Sequence, residues 1–271
     1  MRVFLKREDE NLKTAAGSAA PAPREDIVVG RNPVMEAVRS GKEIDKLFVQ
    51  RGASGSITAI VAKCRDRGIP VKEVAQQKLD FLSGGANHQG VAVQIAEREY
   101  STIAEILQSA KDKGEDPFIV VCDGLEDPHN LGAIIRTAEA CGVHGIIIPK
   151  RRSVTLNATV AKASSGALEY MLVARVNNIT AAIDELKENG VWVYGADMGG
   201  VNWCETDLTG AAALVIGNEG KGISRLSAEH CDAVIGLPMI GKVNSLNASV
   251  AAGVLMYEAA RQRGGIKARN R

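Results

Sequence analysis

Two stretches of this sequence place glycine and polar side chains directly after an apolar run, and both could hold a ligand. Ala213-Leu214-Val215-Ile216 leads into Gly217-Asn218-Glu219-Gly220-Lys221-Gly222. Ala233-Val234-Ile235-Gly236-Leu237-Pro238-Met239 leads into Gly241-Lys242-Val243-Asn244-Ser245-Leu246-Asn247. Each reads as a buried strand end followed by a loop, and two such ends side by side form a crevice in an α/β sheet. Glycine lets backbone turn sharply and approach a ligand closely. A third cluster, Asn130-Leu131-Gly132-Ala133-Ile134-Ile135-Arg136, reads as helix with Leu131, Ile135 and Ala138 as its buried stripe. Gly132 and Arg136 fall one turn apart on another face, so Gly132 removes a side chain where a substrate would approach the guanidinium. Each feature has a plainer reading. The glycine loop could be only a turn, and Arg136 a surface group paired with Glu139 or Glu169. The loop is neither a Walker A sequence nor Gly-x-Gly-x-x-Gly.

Those clusters need elements to position them. Ser245 is placed to cap a last helix that continues through the small residues Ala248 to Gly253. Before it, the apolar strand Phe118 to Cys122 is of the kind covered on both faces. Strands at 145–148, 172–176, 191–196 and 214–216 alternate with helices at 130–141, 157–166 and 179–188, which predicts a parallel α/β sheet over 117–264. A smaller α/β unit is expected over 27–97. Asn32-Pro33 is its first helix start, Ile57, Ile60, Val61 and Cys64 form a helical stripe, and strands lie at 44–49, 71–74 and 91–95. Residues 1–26 read as a flexible leader, 98–116 as a connector with one amphipathic helix, and 265–271 as a basic tail. The loop Gly84-Gly85-Ala86-Asn87-His88-Gln89-Gly90 suits shape-based RNA contact, with His88 as a loop cap the alternative.

Composition narrows the classes. The 271 residues suit one large or two modest domains. No apolar run nears the roughly 20 residues needed to span a bilayer. The N-terminus is neither a signal nor a transit peptide, so a cytoplasmic location is expected. A net charge of +1 argues against a bulk nucleic-acid coat. It leaves room for local basic faces at Lys150-Arg151-Arg152 and at Arg261, Arg263, Lys267, Arg269 and Arg271. Cys64, Cys122, Cys141, Cys204 and Cys231 are scattered, without a Cys-x-x-Cys pair, and no disulfide framework or metal site is expected.

Asn130-x-Gly132-x-x-x-Arg136, Ile216-Gly217-Asn218-Glu219-Gly220-x-Gly222 and Leu237-Pro238-Met239-x-Gly241-x-x-x-Ser245-Leu246-Asn247 together resemble the three signature motifs of the SpoU/TrmH branch of the SPOUT RNA methyltransferases. Order and spacing both match, and the resemblance covers residues 27–263. It implies methyl transfer from S-adenosylmethionine to a ribose 2′-hydroxyl of RNA, without a metal. It also implies an L30e-like RNA-recognition domain at the N-terminus, a C-terminal trefoil knot and a homodimer. Arg136 would hold the phosphate beside the target ribose and act on the hydroxyl. Asn130, Glu219, Ser245 and Asn247 would complete the catalytic pocket. Gly217, Leu237 and Leu246 match positions that hold the cofactor, joined by Ile216, Asn218, Gly220, Pro238 and Met239. His88 and Gln89 would contact RNA.

Within that resemblance, the enzymes acting on a guanosine of 23S ribosomal RNA lie nearest, because an L30e-like domain precedes the catalytic one. A transfer-RNA ribose methylase is the alternative, and an adenosine methylase of the thiopeptide-resistance type a more distant cousin. From other classes, a non-catalytic RNA binder would have no need of Asn130, Arg136, Glu219, Ser245 and Asn247 together. A nucleotide-dependent oxidoreductase would need a dinucleotide fingerprint, which is absent.

Overall fold

The computed structural model of the chain describes residues 26–40, 42–96, 99–218 and 220–264. The expectations placed on residues 1–25, on the tail 265–271 and on Glu219 therefore lie outside the described residues. The chain divides into two units, with the boundary between Ile95 and Ala96.

The first unit runs β1 (Ile27–Val29), α1 (Arg31–Arg39), β2 (Ile44–Gln50), α2 (Ser56–Asp66), β3 (Val71–Val74), α3 (Gln76–Ser83) and β4 (Val91–Ile95). Its sheet has the order β1-β4-β2-β3, with β4 antiparallel to both neighbours and β2 parallel to β3. Side chains alternate across a strand with period two, and both faces are covered. Leu47, Val49, Val91 and Val93 pack with Val34, Val38, Ile57 and Ile60 of α1 and α2. Phe48 and Ala92 pack on the other side with Leu79 and Leu82 of α3. Helix α1 starts two residues earlier than Asn32-Pro33 suggests. Gly30, at φ 92°, is its N-cap, so Asn32 lies inside the first turn and caps nothing. The three-residue β1 has no sequence signal of its own and is held by pairing to β4.

The second unit runs α4 (Ile103–Lys113), β5 (Phe118–Asp123), α5 (Pro128–Ala140), β6 (Gly145–Pro149), α6 (Ala158–Ala163), β7 (Leu172–Val176), α7 (Ile179–Glu188), β8 (Trp192–Asn202), β9 (Ala212–Gly217), α8 (Arg225–His230), β10 (Ala233–Gly236) and α9 (Ala248–Gly264). Its sheet is parallel throughout, in the order β10-β8-β9-β5-β6-β7. Phe118, Val120 and Cys122 of β5 face a core shared with α5, α6 and α9, while Ile119 and Val121 face α4 and α7. This is the α/β class expected from the alternation of strand and helix.

Residues 98–116 do more than connect. Thr102 and Glu105 form a capping box at the start of α4, which fixes where that helix begins. Ile103, Ile106 and Leu107 then bury against the sheet. Ile106 lies so close that a Cβ on Gly145 would sit 2.5 Å from it. Strand β8 is longer than expected, because its pairing with β10 jumps from Gly195 to Val201. The intervening residues bulge out and carry Ala196, Asp197 and Met198 toward the end of the sheet.

A cavity joining three loops at the carboxyl edge of the sheet

At the carboxyl ends of β9 and β10, a cavity of about 470 Å³ opens beside the start of α9. Its apolar wall includes Ile216, Leu237, Leu246, Ala251 and Leu255. Its polar groups include Asp197, Asn218, Asn244 and Ser245, and Gly217, Gly220, Lys221 and Gly222 also line it. The volume lies within the range of about 300–1,000 Å³ usual for small-ligand sites. Of the expected cofactor residues, Gly217, Leu237, Leu246, Ile216, Asn218, Gly220 and Met239 line it, and Pro238 does not. Pro238 sits in the chain between two lining residues, Leu237 and Met239.

The glycines serve a different end from the one their spacing suggests. A Cβ on Gly217 would sit 2.0 Å from the carbonyl carbon of Gly222. The close approach that Gly217 allows is thus by its own chain, which folds back over it. Asn218 and Gly222 exchange backbone hydrogen bonds of 3.1 and 2.8 Å, with Gly222 at φ 65°. The Asn218 side chain accepts from Gly220 N and donates to Gly124 O, and the Asp123 carboxylate accepts from Ser224 N. The loop is therefore closed on itself and tied to the end of β5.

Gly132 likewise makes no room for Arg136. A Cβ there would meet the Ala163 Cβ at 2.4 Å and the Val160 carbonyl at 3.0 Å, so its absence lets α5 and α6 touch. Arg136 is exposed, and its Nη1 donates to Ser165 Oγ at 3.2 Å. Ser165 follows α6 with a left-handed φ of 50°. Neither Arg136 nor Asn130 lines the cavity.

The link between α5 and the cavity is Asn247. Its Nδ2 donates to the Oδ1 of buried Asn130 at 3.0 Å. Its Oδ1 accepts from Ser249 N at 2.9 Å, from Ser249 Oγ at 2.6 Å and from Val250 N at 3.4 Å. Asn247 is thus the N-cap of α9, and Ser245, expected in that role, instead lines the cavity two residues upstream. One side chain closes the helix and ties it to the start of α5. On the same edge of the sheet, the exposed Arg151 and Arg152 follow β6, with Arg152 at φ 54°.

In the first unit, His88 is buried with both ring nitrogens engaged. Nδ1 accepts from Gly90 N at 3.0 Å, so Nε2 carries the proton toward Asp80 Oδ1 at 2.9 Å. His88 therefore works as the loop's internal cap, which leaves no ring nitrogen to offer RNA. Gln89 is exposed, at φ 50°, and its Oε1 accepts from Arg31 N. In the sequence Arg31 reads as an isolated charge. It lies beside that loop and also donates to Gln89 O and Ser56 Oγ.

Comparison with known proteins gives a consistent picture. Residues 117–257 match the model of the SpoU rRNA Methylase family. Residues 27–101 match that of the RNA 2′-O ribose methyltransferase substrate-binding domain. A Bacillus subtilis protein named for the TrmH family of tRNA/rRNA methyltransferases is 48% identical over 240 residues, covering 88% of this chain and 96% of the relative. A Staphylococcus aureus protein of the same name is 49% identical over 239 residues, with coverage of 88% and 96%. Among solved structures, the SpoU methyltransferase AviRb of Streptomyces viridochromogenes, in complex with AdoMet, superposes with a TM-score of 0.56. It is 27% identical, covering 87% of this chain and 89% of that one. An AdoMet-bound rRNA methyltransferase of Sinorhizobium meliloti superposes with a TM-score of 0.53 at 27% identity, with coverage of 87% and 86%.

Proposed function

The chain belongs to the SpoU rRNA methylase family, and on that premise we propose that it methylates a ribose 2′-hydroxyl of a guanosine in 23S ribosomal RNA. The coarser statement is established: this is an S-adenosylmethionine-dependent RNA methyltransferase. Its cavity suits that cofactor. Aliphatic side chains provide a wall for the adenine, and Gly217, Asn218, Gly220, Lys221 and Gly222 offer polar groups to its ribose and amino-acid parts.

The bound cofactor supplies an electrophilic methyl on a sulfonium, whose carbon–sulfur bond breaks as the carbon–oxygen bond forms and its electron pair returns to sulfur. The protein has two tasks. It must hold hydroxyl oxygen, methyl and sulfur in line, and it must help a weakly acidic alcohol lose its proton. Arg136 holds the phosphate next to the target ribose with its planar fork. Arg136 also polarises the 2′-hydroxyl, whose proton passes to water. Asn130 and Asn247 fix α5 against the cavity, so the ribose held by Arg136 meets the methyl. Ser245, at the cavity wall, and Glu219 orient the hydroxyl. Arg151 and Arg152 carry flanking phosphates.

The observation that carries this reading is the 3.0 Å hydrogen bond from Asn247 to Asn130, which joins the cofactor cavity to the helix bearing Arg136. The reading includes action in the cytoplasm, a knotted C-terminal segment and a homodimer. Val250, Val254 and Tyr257 form an exposed apolar stripe along α9, as a subunit contact would need. Light scattering on the purified chain tests the dimer.

Mapping 2′-O-methylation on ribosomal RNA from cells lacking the protein tests the target. Loss of one methylguanosine in 23S RNA, restored by the wild type and not by Arg136→Ala, is the expected result. Loss from transfer RNA instead would establish the second reading, which the tRNA/rRNA names of the relatives include equally. An unchanged map in both RNAs would overturn the assignment.

A further inference from the structure

The first unit holds a second cavity, of about 870 Å³, between the loops 51–54 and 85–90. It is unlike the first in chemistry. Gln50, Gln76, Asn87 and Gln89 bring primary amides to its wall, and Arg31 and Arg51 bring guanidinium groups. The Asp80 carboxylate beside them is already bonded to His88. An amide offers both donors and an acceptor, which is what the edge of a nucleobase requires. A guanidinium plane contacts phosphate and can also stack on a base.

The cavity is also preformed. His88 ties Asp80 to Gly90 beneath the loop, and Arg31 holds the backbone and side chain of Gln89. A Cβ on Gly90 would lie 3.2 Å from Ile57 Cδ1 and 3.4 Å from Gln50 Oε1, so glycine lets the loop close onto Gln50. Among the described residues, the Arg51 guanidinium has no hydrogen-bond or ion-pair partner and is exposed at the rim.

In an A-form duplex, side chains cannot reach the base edges of the deep major groove, so amides set inside a concave site need a base that has left the stack. We propose that this cavity receives one unpaired nucleotide of the substrate RNA. Arg51 contacts its phosphate, and the amides of Gln50, Asn87 and Gln89 read its base. His88 and Arg31 hold the loop that makes the pocket. This rests on the reading that the chain acts on RNA, and it names what the first unit selects: an unpaired nucleotide within a fold, with duplex shape secondary.

The test uses the full-length protein and fluorescein-labelled RNA hairpins. One has a fully paired stem, and four carry a single bulged A, C, G or U at the same place. The wild type is expected to bind at least one bulged hairpin about tenfold or more tighter than the paired one, within the range of good base contacts. Arg51→Ala should weaken the bulged hairpins more than the paired one and lower their slope of log affinity against log salt by about 1. Gln50→Ala should flatten the preference among the four bulged bases and leave the salt slope unchanged. Urea titrations confirm that both variants fold.

Equal binding of bulged and paired hairpins overturns the proposal. So does a bulge preference that survives both substitutions, since the pocket would then lie elsewhere. The outcome is separable from the function proposed above. Bulge selection by these residues in a protein that methylates no RNA would sink the methylation target and keep the pocket. Methylation without bulge selection would do the reverse.

Discussion

Asn247 performs two jobs with one amide, and substitutions can separate them. Serine at this position keeps an oxygen to cap α9 but is too short to donate to Asn130. Alanine loses both. The cap is worth about 0.5–2 kcal/mol, and the hydrogen bond to Asn130 about 0.5–1.5 kcal/mol net. Asn247→Ser should therefore destabilise the second unit by about 1 kcal/mol, and Asn247→Ala by about 1–3.5 kcal/mol. The sequence supplies a reporter, since both tryptophans, Trp192 and Trp203, lie in the second unit. Urea unfolding followed by tryptophan fluorescence reads that unit and not the first. A double-mutant cycle of Asn247→Ser with Asn130→Ala should give a coupling of about 1 kcal/mol. Methyl transfer should fall in both single variants, more in kcat than in the affinity for S-adenosylmethionine, because the tie sets α5 against a cavity that is otherwise intact. Additive losses in the cycle, or a serine variant as damaged as the alanine variant, would refute the claim that the amide joins α5 to the cavity.

Two further perturbations follow from close packing and burial. Gly132→Ala drives a methyl into Ala163 and the backbone of Val160, both within 3.0 Å, and overpacking of this kind costs about 1–3 kcal/mol. The tryptophan-monitored urea midpoint should fall, and Ala163→Gly added to it should restore part of the loss; an unshifted midpoint would show that α5 and α6 part freely. His144 is buried, with Nδ1 accepting from Phe118 N, and burial holds its pKa below the usual histidine value, helped by Lys113 and Arg263 and opposed by Glu115. The unfolded chain therefore takes up the proton first: the second unit is at full stability above pH of about 6.5 and loses it as pH falls through that value toward the lower folded pKa, with a slope of at most about 1.4 kcal/mol per pH unit from this group. Urea titrations from pH 7.5 to pH 5 should show a shallower slope for His144→Asn than for the wild type, and equal slopes would refute the assignment.

The elements were legible where one local signal dominated. Strands β4 and β7 and helix α7 fall where their apolar runs and caps put them, because β-branched runs between turn residues leave little freedom of register. Errors arose where two polar residues competed for one role. Ser245 and Asn247 are both good caps, and only the three-dimensional position of Asn130 selects the second. The bulge in β8 has no local signal of this kind: Gly200 lies under the backbone of Val234, where a Cβ would be 2.5 Å away, and that contact is long-range. Helix α4 reads locally as part of a connector, because its partner surface, Gly145 of β6, is about forty residues downstream. His88 was readable as polar and loop-borne, but its burial beside Asp80 is a property of the fold.

The glycines of the motifs show why recognition of a pattern and explanation of it differ. In the sequence Gly132 and Gly217 both suggest ligand access, since a missing side chain reads as room for a molecule. In each case the room is filled by the protein itself: Ala163 against Gly132, and the Gly222–Ile223 backbone against Gly217. The consequence for function is indirect. Because α6 can touch α5, Ser165 comes within 3.2 Å of Arg136 and gives that side chain a resting place. Because Gly222 folds over Gly217 and bonds to Asn218, the backbone at those residues is fixed before any ligand arrives. The motif glycines thus contribute preorganisation, and Gly217 lines the cavity as well. A site that depends on aligning three atoms in line gains more from walls that do not move than from one more hydrogen bond.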